Sequence, residues 1–238
     1  MNENLCLHCS SIKNLIISNF LCNRSKLKPQ EMVQWSMTFA NYLKYFNNLE
    51  TFDFSQNLLE NSCSKIFFAG LSNSALTLKN LDLSYCSTYL DTANYITELE
   101  NNIHIFKNLE RLKLTFHEDY DPSNLFQKIC SNLRNLKELN LHSSSSGTCY
   151  KDLSNNVHKL VNLEKLILGN EYIDERDAFK LIKEVKEYCP NIIYFHFLPG
   201  ADNVVDFFYR NFGFATKDSN FRCGEKKNNI YDRFHLKN

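Results

Sequence analysis

A short pattern with apolar side chains at its first, fourth and sixth positions returns along this chain about every thirty residues, and no other feature restricts the possible folds as much. Leu49-Glu-Thr-Phe52-Asp-Phe54-Ser-Gln-Asn57 carries it with asparagine in the ninth place, and Leu78-Lys-Asn-Leu81-Asp-Leu83-Ser-Tyr-Cys86 carries it with cysteine there. Further copies are Leu109-Glu-Arg-Leu112-Lys-Leu114, Leu136-Lys-Glu-Leu139-Asn-Leu141 and Leu163-Glu-Lys-Leu166-Ile-Leu168. Weaker ones flank them at Ile12, Leu15 and Ile17 and at Ile192, Phe195 and Phe197. From Leu49 onward the starts lie 29, 31, 27, 27 and 29 residues apart, and the interval from Ile12 to Leu49 is 37.

Two apolar positions separated by two residues put both side chains on one face of a strand, so the pattern predicts strands that bury their fourth and sixth positions as a continuous ladder. Between strands the period changes to that of a helix. Ala178, Leu181, Ile182, Val185, Tyr188 and Cys189 fall on one stripe, as do Phe126, Ile129, Cys130 and Leu133. Asp121-Pro122 predicts an N-cap followed by proline at the first helical position, Asp174 a second cap, and Cys189-Pro190 a helix end. The expected fold is α/β: a curved parallel sheet inside, helices outside, and about seven repeats in a solenoid.

Composition narrows the partners. The 238 residues contain 27 lysines and arginines against 27 aspartates and glutamates. No net field gathers phosphate backbones or an anionic membrane surface, so we expect no nucleic acid and no membrane partner. Met1 to Ser10 lack the basic and apolar regions of a secretory signal, and no apolar run nears membrane-spanning length. Nine cysteines are scattered from Cys6 to Cys223 without a cluster and read as reduced thiols, several of them buried. One sequon, Asn23-Arg24-Ser25, is within chance for an asparagine-rich chain. The expected location is cytoplasmic or nuclear, in a reducing compartment.

With asparagine or cysteine in the ninth place at Asn57 and Cys86, and with Tyr188-Cys189-Pro190-Asn191-Ile192 and Ile129-Cys130-Ser-Asn-Leu133 at helix ends, the chain resembles ribonuclease-inhibitor-like leucine-rich-repeat proteins. Within that group it is most similar to the repeat region of F-box/leucine-rich-repeat proteins, over roughly Leu5 to Leu198. The ninth place departs from the pattern at His117, Ser144 and Glu171, and the F-box itself is absent. The resemblance implies recognition of a substrate for a cullin–RING ubiquitin ligase, with ligase subunits as partners only if an N-terminal F-box is missing from this chain. Aligning Cys9-Ser-Ser-Ile12 with Cys189-Pro-Asn-Ile192 sets Leu5 opposite Val185, so the chain opens partway through a repeat helix. The corresponding expectation is a truncated product whose missing part held a cap.

The expected domain layout is a repeat domain over 1–200, a capping helix over 201–214 and a polar tail over 215–238. In the cap, Val204, Phe207, Phe208 and Phe212 share a face and Gly213 ends the helix. Trp35 is expected to pack on the first long repeat. The solvent-facing strand positions form the expected concave binding surface: Asp53, Asp82, Arg111, Lys113, Glu138, Asn140, His142, Lys165, Tyr194 and His196. Acidic groups lie toward the N-terminal half, and Arg111, Lys113 and Lys165 form a central basic patch around Glu138. Loops at His117 to Asp121 and Ser143 to Gly147 offer a second surface.

Catalysis has no motif here. Cys6-Leu-His8-Cys9 lacks the second ligand pair that zinc needs, nothing in the sequence gathers a cysteine–histidine nucleophile, and six glycines form no phosphate loop. We therefore expect a protein-binding module without catalytic residues, cofactor or metal. A free-standing interaction or inhibitor protein, or a remnant without a ubiquitin role, is the competing reading.

Overall fold

The computed structural model describes residues 9–20, 29–57, 59, 61–86, 92–116, 120–143, 150–173, 175–199 and 221–223. The strands are β1 (Asn14–Ile16), β2 (Thr51–Asp53), β3 (Asn80–Leu83), β4 (Arg111–Phe116), β5 (Glu138–Ser143), β6 (Lys165–Ile173), β7 (Tyr194–Pro199) and β8 (Phe221–Cys223). The first seven lie where the pattern places them. The eighth falls in the stretch read as a polar tail. They form one sheet whose order follows the chain from β1 to β8, and every pair is parallel. Helices α1 (Pro29–Leu43), α2 (Asn61–Leu71), α3 (Thr92–Asn102), α4 (Ser123–Asn132), α5 (Tyr150–Asn156) and α6 (Glu175–Tyr188) connect successive strands. The long interval after Ile12 houses α1, the longest of them at 15 residues. The expected capping helix, Asp174, His117 to Asp119, Ser144 to Gly147, Asn23, Cys6 and His8 lie outside the described residues.

Register stacks equivalent positions in columns. Leu15, Phe52, Leu81, Leu112, Leu139, Leu166, Phe195 and Phe221 are successive partners, and Leu83, Leu114, Leu141 and Leu168 form a second column. From Phe52 to Phe195 these side chains are buried, whereas Leu15 is only half-buried at the edge of the sheet. Each such residue contributes roughly 1.5–3 kcal/mol by leaving water. The helices close this face: Phe67, Phe68, Ile96, Leu125, Phe126, Leu153, Leu181 and Val185 join the same core. Gly70 marks the tightest approach between α1 and α2, since a Cβ there would lie 2.8 Å from that of Leu43. Trp35 stacks on Phe39, which stacks on Phe54 of the second repeat.

Three local expectations meet the structure. Asp121 accepts hydrogen bonds from the Ser123 N–H and hydroxyl at 3.0 and 2.6 Å, but it stands one residue before the helix boundary: Pro122 is the N-cap and Ser123 the first helical residue, so the expected cap is shifted by one. Cys189 is buried beyond the end of α6. Tyr188 does not belong to the buried stripe. It is 41% exposed, because it lies at the edge of the arc that Val185 and Cys189 bury, and its ring rests edge-on against His158.

The ninth position turns the chain. Asn57 is buried and its amide donates to the carbonyls of Ile17, Phe54 and Ser55, at 2.7, 3.0 and 3.2 Å. Cys86 donates its thiol hydrogen to Phe54 O at 3.2 Å. The residue before each takes a left-handed backbone, φ 57° at Gln56 and 58° at Tyr85, and Asn19 repeats this in the first copy. Where Asn or Cys is replaced, β4 and β5 run on through the eighth position, at Phe116 and Ser143. Cys63, Cys86, Cys130 and Cys189 are buried, and burial pushes the Cys130 and Cys189 thiols up to about 12.

The rim where the strands begin carries a second regularity. The second-position carbonyls of Lys13, Glu50, Lys79, Glu110, Lys137 and Glu164 each accept two N–H groups from the next strand, as Lys79 O does from Glu110 and Arg111 at 2.7 and 2.9 Å. The side chains of this row alternate in sign. Lys13 pairs with Glu50 at 2.7 Å, Glu50 with Lys79 at 2.9 Å and Glu110 with Lys137 at 2.9 Å. One turn earlier, Asn48, Asn108, Asn135, Asn162 and Asn191 each donate a side-chain hydrogen bond to a carbonyl of the preceding unit. Thr77 replaces asparagine in the third unit and bonds Leu49 O at 2.8 Å.

Leu112→Asp puts an unpaired charge in the first column and is expected to cost more than about 2 kcal/mol, read as a lower melting temperature; an unchanged midpoint contradicts the column. Hydrogen bonds from Lys13 and then Lys79 hold the Glu50 carboxyl at about 2, against an ordinary 4.5. A depressed folded value contributes stability that is present above the unfolded value and lost as pH falls toward the folded one. The Glu50 carboxyl carbon should therefore still report an ionised group by NMR at about pH 3. Titration at the ordinary value would show that the pairs do not form in solution.

Candidate recognition face

The sheet face away from the helices is open. Positions three, five and seven of each strand stand on it, and most are half-buried or exposed where positions four and six, from β2 to β7, are fully buried. Ser55 and Gly169 are the exceptions, both buried against their neighbours. The third positions run Asn14, Thr51, Asn80, Arg111, Glu138, Lys165 and Tyr194. The fifth run Ile16, Asp53, Asp82, Lys113, Asn140, Ile167 and His196. Thr115, His142 and Gly169 are partners in the seventh.

Parallel register therefore sets charged residues beside their neighbours at one strand spacing, about 4.8 Å. Lys113 pairs with Asp82 at 3.1 Å. Glu138 lies between two cations, Lys165 at 3.3 Å and Arg111 at 3.9 Å, and Arg111 also donates to Asn80 Oδ1 at 3.3 Å. Lys165 in turn sits 5.4 Å from the centre of the Tyr194 ring. The central basic patch is thus corrected to a compensated network. One cationic charge is left over around Glu138, and it falls most openly on Arg111, whose side chain is 60% exposed. Exposed pairs of this kind contribute about 0–1 kcal/mol each, so they orient side chains more than they hold the fold.

The acidic end is organised differently. Asp53 Oδ1 accepts from the Ser55 N–H and hydroxyl at 2.9 and 2.6 Å, and Asp82 binds Ser84 in the same way. Both carboxylates are fixed by their own turns. Among the described residues Asp82 has a cation and Asp53 has none, while its neighbour Ile16 is 63% exposed. Asp53 and Arg111, the more exposed of the two cations that share Glu138, stand two strands apart, about 10 Å across the sheet.

Between them and the far end lies a polar node. The His142 ring lies over Gly169, where a Cβ would come within 2.2 Å of Nδ1. Tyr85, from the left-handed turn after β3, reaches across β4 to bring its ring 5.9 Å from that of His142. Thr115 Oγ1, Asn140 Oδ1 and His142 Nδ1 are buried there without a protein hydrogen-bond partner among the described residues. Burial pushes the His142 imidazole below its ordinary range, with Asp82 opposing and Lys113 assisting. Tyr85 and Gly169 were not picked out from sequence as site residues. Their signal is positional only: the eighth place and the seventh.

The remaining predicted site residue, His196, sits beyond Ile167 in the fifth-position row, next to Arg222 of β8. Among the described residues no group of three or more His, Cys, Asp or Glu is gathered as for a metal, and no helix is long and apolar enough to cross a membrane. No protein-family model matches the chain, and no curated protein matches it.

Gly169→Ala should expel the His142 ring into solvent. Its imidazole should then titrate at a higher pH than in the unsubstituted protein, followed by NMR; an unchanged titration would mean that the ring does not rest on Gly169.

Proposed function

We propose that this chain is a leucine-rich-repeat solenoid that recognises another protein on the open, concave face of its sheet and performs no catalysis. The observation that carries the reading is the open face itself. All-parallel sheets are ordinarily covered on both sides, and a repeat architecture is the usual way to leave one side free for a partner. Its side chains are held in place before any partner arrives: Asp53 and Asp82 by their serines, Glu138 between two cations, and Tyr194 against Lys165. Preorganised aromatic and arginine side chains lose little freedom on binding.

The balance of charge supports a protein partner over a polyanion. From β2 to β7 three acids and three bases occupy the face, leaving an anion at Asp53 and a cation near Arg111, and Arg222 of β8 adds a fourth base next in the row after His196. A complementary protein surface presents a base opposite the first and an acid opposite the second. Service as the substrate-binding part of a ubiquitin ligase adaptor remains the role that the family resemblance implies.

The test is affinity capture from lysate with three folded proteins: the unsubstituted chain, an Asp53→Lys, Arg111→Glu variant, and a Lys183→Glu control on the exposed side of α6. A specific protein held by the first and third and lost by the second, with affinity down about tenfold or more, supports the reading. Co-retention of ligase subunits would extend it to the adaptor role. Equal retention by all three overturns it.

A further inference from the structure

We propose that the rim where the strands begin is a self-association surface, on which a second copy of this chain docks antiparallel about a two-fold axis passing between β3 and β4. This surface is separate from the open face, and the inference does not rest on the function proposed above.

The argument is the order of charges. Along the rim the second positions read Lys13, Glu50, Lys79, Glu110, Lys137 and Glu164, six alternating signs on six adjacent strands. An alternating row with an even number of members becomes its own complement when reversed. Rotation about an axis between Lys79 and Glu110 sets Lys13 opposite Glu164, Glu50 opposite Lys137, and Lys79 opposite Glu110 of the other copy. Every contact is then between opposite charges. The spacing matches because both rows have the same strand separation, and any curvature of one row is reproduced by the other. Such an isologous contact closes on itself and yields a dimer, not a filament.

The surface is available. An open groove of about 580 Å³ runs along the rim and is lined by Glu50, Leu76, Lys79, Glu110, Lys137 and three of the asparagines, Asn108, Asn135 and Asn162. Leu76 is 79% exposed beside it and supplies apolar area. The row spans about 24 Å, five strand spacings, so a contact confined to it lies at the small end of specific interfaces. The dimer is accordingly weak and sensitive to salt.

The experiment is sedimentation equilibrium of the full chain from about 10 µM to about 1 mM, at about 50 mM and about 500 mM salt. The expected result is a dimer at low salt that weakens about tenfold or more at high salt. Glu110→Lys sets lysine against lysine at the axis and should weaken it by a similar factor; if that variant does not fold, Lys79→Glu sets glutamate against glutamate and serves instead. Combining Glu110→Lys with Lys79→Glu restores opposite charges between copies while placing like charges side by side within each chain, so the double variant should dimerise again. A monomer at the highest concentration overturns the proposal. So does a dimer indifferent to salt or to the single substitution, or a folded double variant that stays monomeric.

Discussion

The carbonyl at the second position of each unit accepts two N–H groups from the unit that follows, and the rest of the structure depends on that shared acceptor. It leaves the next strand no freedom of register, so residues of equal rank lie directly beside one another across the sheet. A leucine at the fourth place then meets a leucine, an asparagine before the first place meets the carbonyl of the preceding turn, and a charge meets whatever charge its predecessor carries. The hydrophobic columns supply most of the favourable free energy, but the backbone ladder decides which groups are brought into contact.

The sequence exposed those parts of the fold that repeat within one strand or helix. Leu112 and Leu114, two residues apart, point to the same side whatever surrounds them, so strand positions could be read directly. The stripe on α6 was legible for the same reason, except at Tyr188, where the edge of the buried arc is set by the neighbouring helix and not by the period. The rim was illegible because Glu50 and Lys79 are 29 residues apart and their relation exists only after the strands are stacked. The same holds on the open face. Arg111, Lys113 and Lys165 look like a basic cluster along the chain, yet register brings Asp82 and Glu138 between them. The Tyr85 ring over His142 depends on a left-handed turn, which non-glycine residues seldom adopt and no periodicity announces.

Two kinds of electrostatic order therefore coexist on one sheet. On the rim, alternation leaves nearly every charge with an opposite neighbour inside the chain. On the open face, pairing is incomplete and leaves Asp53 and Arg111 as the groups with most to gain from an outside partner. The polar node around His142 adds a third element, in which the side chains of Thr115, Asn140 and His142 have buried polar atoms without a protein partner among the described residues.

The strands are unequal in length, three residues in β1 and β2, four in β3, six in β4 and β5, and nine in β6. The brevity of the first three follows from the left-handed turns at Asn19, Gln56 and Tyr85, which end each strand early. Cohesion between neighbours rises accordingly from the β1 edge toward the middle of the sheet, and Leu15 at that edge is not fully sheltered. Under tension applied along the strand order, the edge pairs β1–β2 and β7–β8, each joined over three residues, yield before β4–β5, joined over six.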